Sequence, residues 1–282
     1  MDQVILKAYA KINLNLKVMD RRADGYHNIT SLMQSISLCD QVKITKIQQG
    51  INLACGSADI PGGRDNTAYR AAVEFLRIWE RGRKTRPGEK MGVEISIDKE
   101  IPIGAGLAGG SADAAAVIFG LNQLFEANYS AEELQEMGLK IGADVPFCLM
   151  GGRAEVSGKG EVLRPSGPVE QKWIVLANPG YEVSTQWAYE EIDRLKGSGV
   201  SFEGLANDFE VVVLKKHPEV ADAKQQLAAA GAELAQMTGS GPTVFGIFSD
   251  KIKAERAFEE LLAAFPRTYI ASFVNHGVEI IT

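Results

Sequence analysis

Chemistry in this chain starts from a glycine-dense stretch, Ile101-Pro-Ile-Gly-Ala-Gly-Leu-Ala-Gly-Gly-Ser-Ala-Asp113. Four glycines, Gly104, Gly106, Gly109 and Gly110, let the backbone turn tightly and present bare N–H groups, because no Cβ blocks an approaching ligand. Downstream, Ala114, Val117, Ile118, Leu121, Leu124 and Phe125 recur at helical spacing, so the loop opens into a helix beginning near Ser111. Unpaired N–H groups and the positive dipole end at a helix start favour an anion, and the stretch reads as a phosphate cradle. Three loop designs compete. The strand–helix P-loop requires Gly-Lys-Ser/Thr, and Gly110-Ser111 lacks the lysine. Gly104, Gly106 and Gly109 match the dinucleotide spacing, which would suit a NAD-binding oxidoreductase. However, Lys99, Glu100 and Pro102 interrupt the approach, and the required acid would fall near Glu126, at the end of the helix. The third design is Pro102, Gly106-Leu107, then Gly109-Gly110-Ser111 opening a helix. A glycine turn with no ligand is the bland alternative.

Two charged residues could act beside such a loop. Asp144, in Gly142-Ala-Asp-Val-Pro-Phe147, stands just outside a helix end, as a base or as a plain helix stop. Lys11 and Asn13 lie two apart in a run that alternates Ile12, Leu14, Leu16 and Val18 with polar residues. A solvated polar face is the default for each. A carboxylate can take the proton of an attacking hydroxyl, and a lysine beside it keeps it ionised and neutralises transferring charge. The same pair could equally be a structural salt bridge. Asp24-Gly25 signals a turn that delivers Tyr26-His27 into a loop, and Thr238-Gly-Ser-Gly-Pro-Thr243 is a second glycine turn.

The elements that must position these residues follow from periodicity and caps. Strands are expected over residues 4–18, 35–38, 42–47 and 93–97. A helix after Asp65-Asn66 turns Ala68, Ala71, Ala72, Phe75, Leu76 and Trp79 inward, and residues 81–90 read as a surface loop. Ser130-Ala-Glu-Glu133 is a capping box for a helix with Leu134, Met137 and Ile141 inward, closed by Gly142. Composition then shifts toward Pro165, Gly167 and Pro168, which puts a boundary between domains of residues 1–160 and 161–282. Beyond it, strands at 173–177, 233–237, 244–248 and 269–274 interleave with helices from Ser184 and over 209–216, 219–229 and 252–265. That interleaving suggests a ferredoxin-like α+β unit.

With 282 residues, 45% hydrophobic and 23% charged, the chain is an ordinary globular protein of one large or two ordinary domains. A net charge of -6 argues against a nucleic-acid surface. Cys39, Cys55 and Cys148 form neither a disulfide framework nor a zinc site. No apolar run approaches the ~20 residues of a spanning helix, and the N-terminus lacks the regions of a signal peptide. A soluble, cytoplasmic protein with no membrane partner is expected.

Taken together, Ala10-Lys-Ile-Asn-Leu14, Arg22-Ala-Asp-Gly-Tyr-His27, the loop at 102–111, Gly142–Phe147 and the turn at 238–243 closely resemble the motifs of the GHMP kinases, in order along nearly the whole chain. The resemblance implies a two-domain α+β GHMP kinase fold, with an N-terminal mixed α/β nucleotide-binding domain and a ferredoxin-like C-terminal domain. It implies ATP and Mg²⁺, and a cytidine diphosphate-linked methylerythritol as the small-molecule substrate, in a monomer or homodimer. Asp144 would be the base and Lys11 its partner. The ATP site would comprise Asn66, Lys99, Pro102, Gly104, Ala105, Gly106, Leu107, Ala108, Gly109, Gly110, Ser111 and Ala112. Asn13, Tyr26, His27, Tyr189, Gly239 and Ser240 would meet the substrate, with cytosine stacked between Tyr26 and Tyr189 and its edge read by His27. Ala112 departs from the family, which often has a second serine there; Ser111 remains to touch metal or phosphate. Homoserine or mevalonate kinase activity is the nearest rival. A non-catalytic relative is disfavoured because Lys11 and Asp144 are both present.

Overall fold

The structure, a computed structural model, describes residues 1–56, 63–81 and 92–281. The loop expected at 81–90 lies, apart from Arg81, outside the described residues. The alternating pattern at 11–18 belongs to a long hairpin of β1 (Gln3–Arg21) and β2 (His27–Ile47), paired from Gln3 opposite Thr45 to Arg21 opposite His27. The runs at 35–38 and 42–47 are therefore one strand. Asp40-Gln41 breaks the apolar pattern between them without breaking the ladder. Two register shifts, between Tyr9 and Lys11 and between Asn13 and Asn15, release backbone groups of β1 to partners outside the hairpin.

Next come β3 (Ile51–Cys55), α1 (Thr67–Arg81), β4 (Gly92–Asp98), α2 (Gly109–Leu124), α3 (Ala131–Leu139), α4 (Val145–Met150), β5 (Arg153–Ser157) and β6 (Val162–Pro165). After them follow β7 (Trp173–Asn178), α5 (Thr185–Gly197), α6 (Glu210–Lys216), α7 (Pro218–Ala229), β8 (Leu234–Met237), β9 (Val244–Phe248), α8 (Lys251–Leu262), β10 (Arg267–Ser272) and β11 (Val278–Ile280). The first sheet runs β11-β1-β2-β4-β3, with β5 on β2 and β6 on β5. The second runs β10-β7-β9-β8, the order of a ferredoxin-like unit with helices crossing between its strands. The α+β expectation is met in both parts, and the last strand returns to pair with β1.

Helix α2 starts two residues earlier than its apolar spacing suggests, and it is buried all round rather than along one stripe. Ala112, Ala114, Ala115, Ala116, Val117 and Ile118 are all buried, as a helix clamped between a sheet and other helices requires. Helix α1 buries the six residues expected of it, and the capping box of α3 is present, with Ser130 and Glu133 bonding reciprocally. That helix stops at Leu139, short of Ile141. The six-residue α4 was not legible as a helix, and Asp144 is its N-cap rather than only the residue after α3. Among the described residues two large apolar cores result, with a small third cluster of Met33, Phe147, Ala154 and Val156. The far end of the hairpin, through Leu16, Val18 and Ile29, packs into the second core with Val175, Phe209 and Met237. A single hairpin therefore runs through both units and fixes one against the other.

Candidate active site

The glycine stretch is a tight loop into α2. Gly104 and Gly106 have φ of 61° and 76°, and Ala108, the N-cap, has φ of 58°. An alanine held in the left-handed region marks a locally strained backbone of the kind found at ligand clamps. The N–H groups of Gly109 and Gly110 follow this cap, at the helix positions that have no intrahelical acceptor. The register shift after Tyr9 frees the Lys11 N–H, which donates to the Leu107 carbonyl at 3.1 Å. Lys11 Nζ donates to the Gly106 carbonyl at 3.3 Å. One residue of β1 thus ties the loop down twice.

Lys11 Nζ also lies 3.6 Å from Asp144 Oδ2 and donates to Asn13 Oδ1 at 2.8 Å. Asp144 caps α4 in position only. Its side chain makes no cap hydrogen bond, which leaves the carboxylate to Lys11 and the cleft. Lys11 and Asn13 are buried, so the polar face of the strand is not the solvated one that alternation alone suggests. The covering group is the second glycine turn. Thr238 Oγ1 accepts from the Asn13 N–H at 3.0 Å, and the Gly239 N–H donates to Asn13 Oδ1 at 3.1 Å. Asn13 Nδ2 donates to Ser31 at 2.8 Å, and its Oδ1 holds Lys11 Nζ. Asn13, which the resemblance gave to the substrate, also lines the cleft. Asn207 supports the turn from behind, donating to the carbonyls of Met237 and Gly239.

Lys11, Asn13, Asp144, the loop, Gly239 and Ser240 line one cleft of about 470 Å³ between the two units. Of the expected nucleotide residues, Asn66, Lys99, Pro102, Gly104, Ala105, Gly106, Ala108, Gly109, Gly110 and Ser111 line it, whereas Leu107 and Ala112 are packed beneath. Asn66 is also the cap its sequence suggests, its Oδ1 accepting from the Ala68 N–H at 2.8 Å. Lys99 is not a surface charge. It is held between two carboxylates, Asp40 and, at 2.7 Å, Asp113. Both Lys99 and Asp113 titrate upward. Lys99 rises because the two anions outweigh its burial. Asp113 is raised to about 7, chiefly by burial, with Asp40 pushing the same way and Lys99 opposing. One cation cannot neutralise two buried acids, and Asp40 also accepts the N–H groups of Glu100 and Ile101.

The aromatic residues differ from the expected sandwich. Tyr189 lines the cleft but stacks on His27, with ring centroids 4.7 Å apart and planes 13° apart. Burial and then the charge of Asp144 push the Tyr189 hydroxyl up to about 12. His27 is the first residue of β2 rather than a loop residue, is buried, and shares a 2.8 Å hydrogen bond between Nε2 and Asp193. Tyr26 stays in the turn, 57% exposed, with Lys159 Nζ 5.0 Å from its ring centroid. Tyr26 and His27 are not among the residues that line the cleft. Sequence reasoning missed Asp113, Thr185 and Phe209, which do line it. Asp113 had a signal, a lone charge inside an alanine-rich helical run. The other two are brought in only by tertiary packing.

Residues 66–152 match the model of the GHMP kinases N terminal domain, and residues 189–267 match GHMP kinases C terminal. The chain belongs to the GHMP kinases, and it is a phosphotransferase that uses ATP. It is 41% identical to the 4-diphosphocytidyl-2-C-methyl-D-erythritol kinase of Geobacter metallireducens, over 93% of this chain and 95% of the relative. To the protein of the same name from Moorella thermoacetica it is 40% identical, over 96% and 99%. A crystal structure of 4-(cytidine 5'-diphospho)-2C-methyl-D-erythritol kinase superposes with a TM-score of 0.77 at 33% identity, covering 95% of this chain and 98% of that one. Homoserine kinase from Cytophaga hutchinsonii shares the fold, with a TM-score of 0.75 at 19% identity over 100% and 98% of the two chains. Family membership removes the NAD reading of Gly104, Gly106 and Gly109. Among the described residues, no helix is long and apolar enough to cross a membrane.

Proposed function

We propose that this kinase transfers the γ-phosphoryl group of ATP to the 2-hydroxyl of 4-diphosphocytidyl-2-C-methyl-D-erythritol, a step of the non-mevalonate route to isoprenoid precursors. The observation that carries the mechanism is the 3.6 Å pair of Lys11 and Asp144 beside a glycine loop that lines the same cleft. The N–H groups of Gly109 and Gly110 seat the phosphates. Asp144 accepts the hydroxyl proton as the oxygen attacks the γ-phosphorus. The new O–P bond forms as the bond to the β-phosphate oxygen breaks, and ADP leaves. Lys11 offsets negative charge on the transferring group and keeps the Asp144 carboxylate close to it. Tyr26, exposed in the turn just before His27, offers one face of its ring for the cytosine to stack on.

The residues present fit Mg²⁺. Among the described residues, no group of three or more His, Cys, Asp or Glu gathers as for an all-protein metal cage. Mg²⁺ instead keeps waters and phosphate oxygens and takes few protein ligands. Ser111, in the first turn of α2 and lining the cleft, is the residue that would hold it. When bound, the ion would neutralise phosphate charge.

The test is ADP release on a panel of acceptors. The cytidyl substrate should turn over. Homoserine, mevalonate and methylerythritol 4-phosphate, which lack the base, should be at least about a hundredfold poorer in kcat/KM. Equal turnover of homoserine or mevalonate would overturn the assignment.

A further inference from the structure

The second unit sets an acid directly against the phosphate loop. Gly104 has φ of 61°, and a Cβ added to it would meet Glu182 Cγ and Cδ at 2.6 Å and Glu182 Oε1 at 3.0 Å. The bare Cα of Gly104 is what makes room for that side chain. Glu182 belongs to the stretch between β7 and α5, and the chain is fixed on both sides of it. The ring of Tyr181 stacks on His217, with centroids 5.0 Å apart and planes 29° apart, while Val183 is buried in the second core and lines the cleft. Ser184 then caps α5, its Oγ accepting from the Trp187 N–H at 3.3 Å. Glu182 itself is exposed, and among the described residues no hydrogen bond or ion pair engages its carboxylate.

We propose that Glu182 is a specificity-determining residue for the nucleotide, its carboxylate beside Gly104 disfavouring metal-free ATP, so that the cleft selects ATP that arrives with its divalent cation. The charges already in the cleft give this acid its weight. Among the described residues that line it, Lys11 and Lys99 are the cations. Lys11 pairs with Asp144, and Lys99 lies between Asp40 and Asp113, so neither brings surplus positive charge to the loop. Glu182 adds an anion beside the seat of the phosphates. Repulsion between like charges grows with the charge on the ligand, and a divalent cation on the phosphates cancels part of that charge. Metal-free ATP therefore meets the full repulsion and ATP with its cation meets less. Glu182 acts here on phosphate charge and not as a metal ligand, the place given above to Ser111. The proposal rests on the reading of the glycine loop as the phosphate seat.

Equilibrium titration of the full chain with ATP, once with Mg²⁺ and once with EDTA, tests it in wild type, Glu182→Gln and Glu182→Lys. Wild type should bind MgATP more tightly than metal-free ATP. Glu182→Gln keeps the shape and removes the charge; it should tighten metal-free ATP about fivefold while MgATP changes by less than about twofold. Glu182→Lys should carry the same trend further. Because the carboxylate is exposed, the gain in Glu182→Gln should shrink as NaCl is raised to about 0.5 M. Equal wild-type affinity for the two forms of ATP would overturn the proposal. So would a gain of the same size for both forms, no gain for either, or a gain indifferent to salt, which would mark altered packing rather than altered charge. In each of those cases ATP still binds and the phosphate seat stands. If wild type bound neither form, the phosphate-seat reading itself would fall, and this proposal with it.

Discussion

Asp113 keeps its proton to about 7 in the folded protein, against an ordinary value of 3.8, because burial disfavours its charge. Between those values the folded protein holds a proton that the unfolded chain has released, so rising pH favours unfolding. The stabilisation is full below about pH 4 and is lost as the pH climbs through 7. Denaturant unfolding of the ligand-free protein should therefore show stability falling more steeply from pH 5 to 7.5 in wild type than in Asp113→Asn. His27 poses a second question at this scale. Asp193 is the acceptor that fixes the imidazole, with Nε2 as the donor; on the proposed function it holds His27 for the cytosine. Asp193→Ala should raise KM for the cytidyl substrate about tenfold while leaving kcat and the KM for ATP near wild type, in steady-state assays varying each substrate. Identities such as Lys11, Asp144 and the glycines were legible in the sequence. Burial of Lys11 and Asn13 was not, because a period of two assigns residues to faces without saying what covers a face.

Among the elements, those with local signals were readable and those set by distant partners were not. The capping box of α3, the N-cap Ser184 of α5 and the inward face of α1 all lie within a few residues of sequence. Helix α4 escaped because six residues give too little periodicity, and α2 looked one-sided because small alanines hide how fully a helix is enclosed. The phosphate loop and the turn at 238–241 are one device made of two elements. Gly106 sits at φ 76°, and a Cβ there would collide with the Thr238 carbonyl oxygen. Gly106→Ala should cost about 1–3 kcal/mol in strain and contact. Thermal unfolding with and without ATP should show a lower Tm and, because the loop cannot keep its shape, a weaker shift on adding ATP.

The whole molecule is organised so that neither unit holds a complete site. The first supplies Lys11, Asp144 and the loop, and the second supplies Gly239, Ser240 and Tyr189. The β1–β2 hairpin contributes to both cores, so the cleft between them has a defined geometry. Pattern reasoning reached the two fold types but not this joint, which depends on contacts such as Thr238 to Asn13, 225 residues apart. The most direct test is single-turnover phosphoryl transfer to the cytidyl substrate by Asp144→Asn, with ATP affinity measured on the same preparation. Transfer should fall about 10²–10⁴-fold while ATP binds as in wild type. Transfer at the wild-type rate in a variant that binds ATP normally would contradict the assignment of Asp144 as the group that takes the proton.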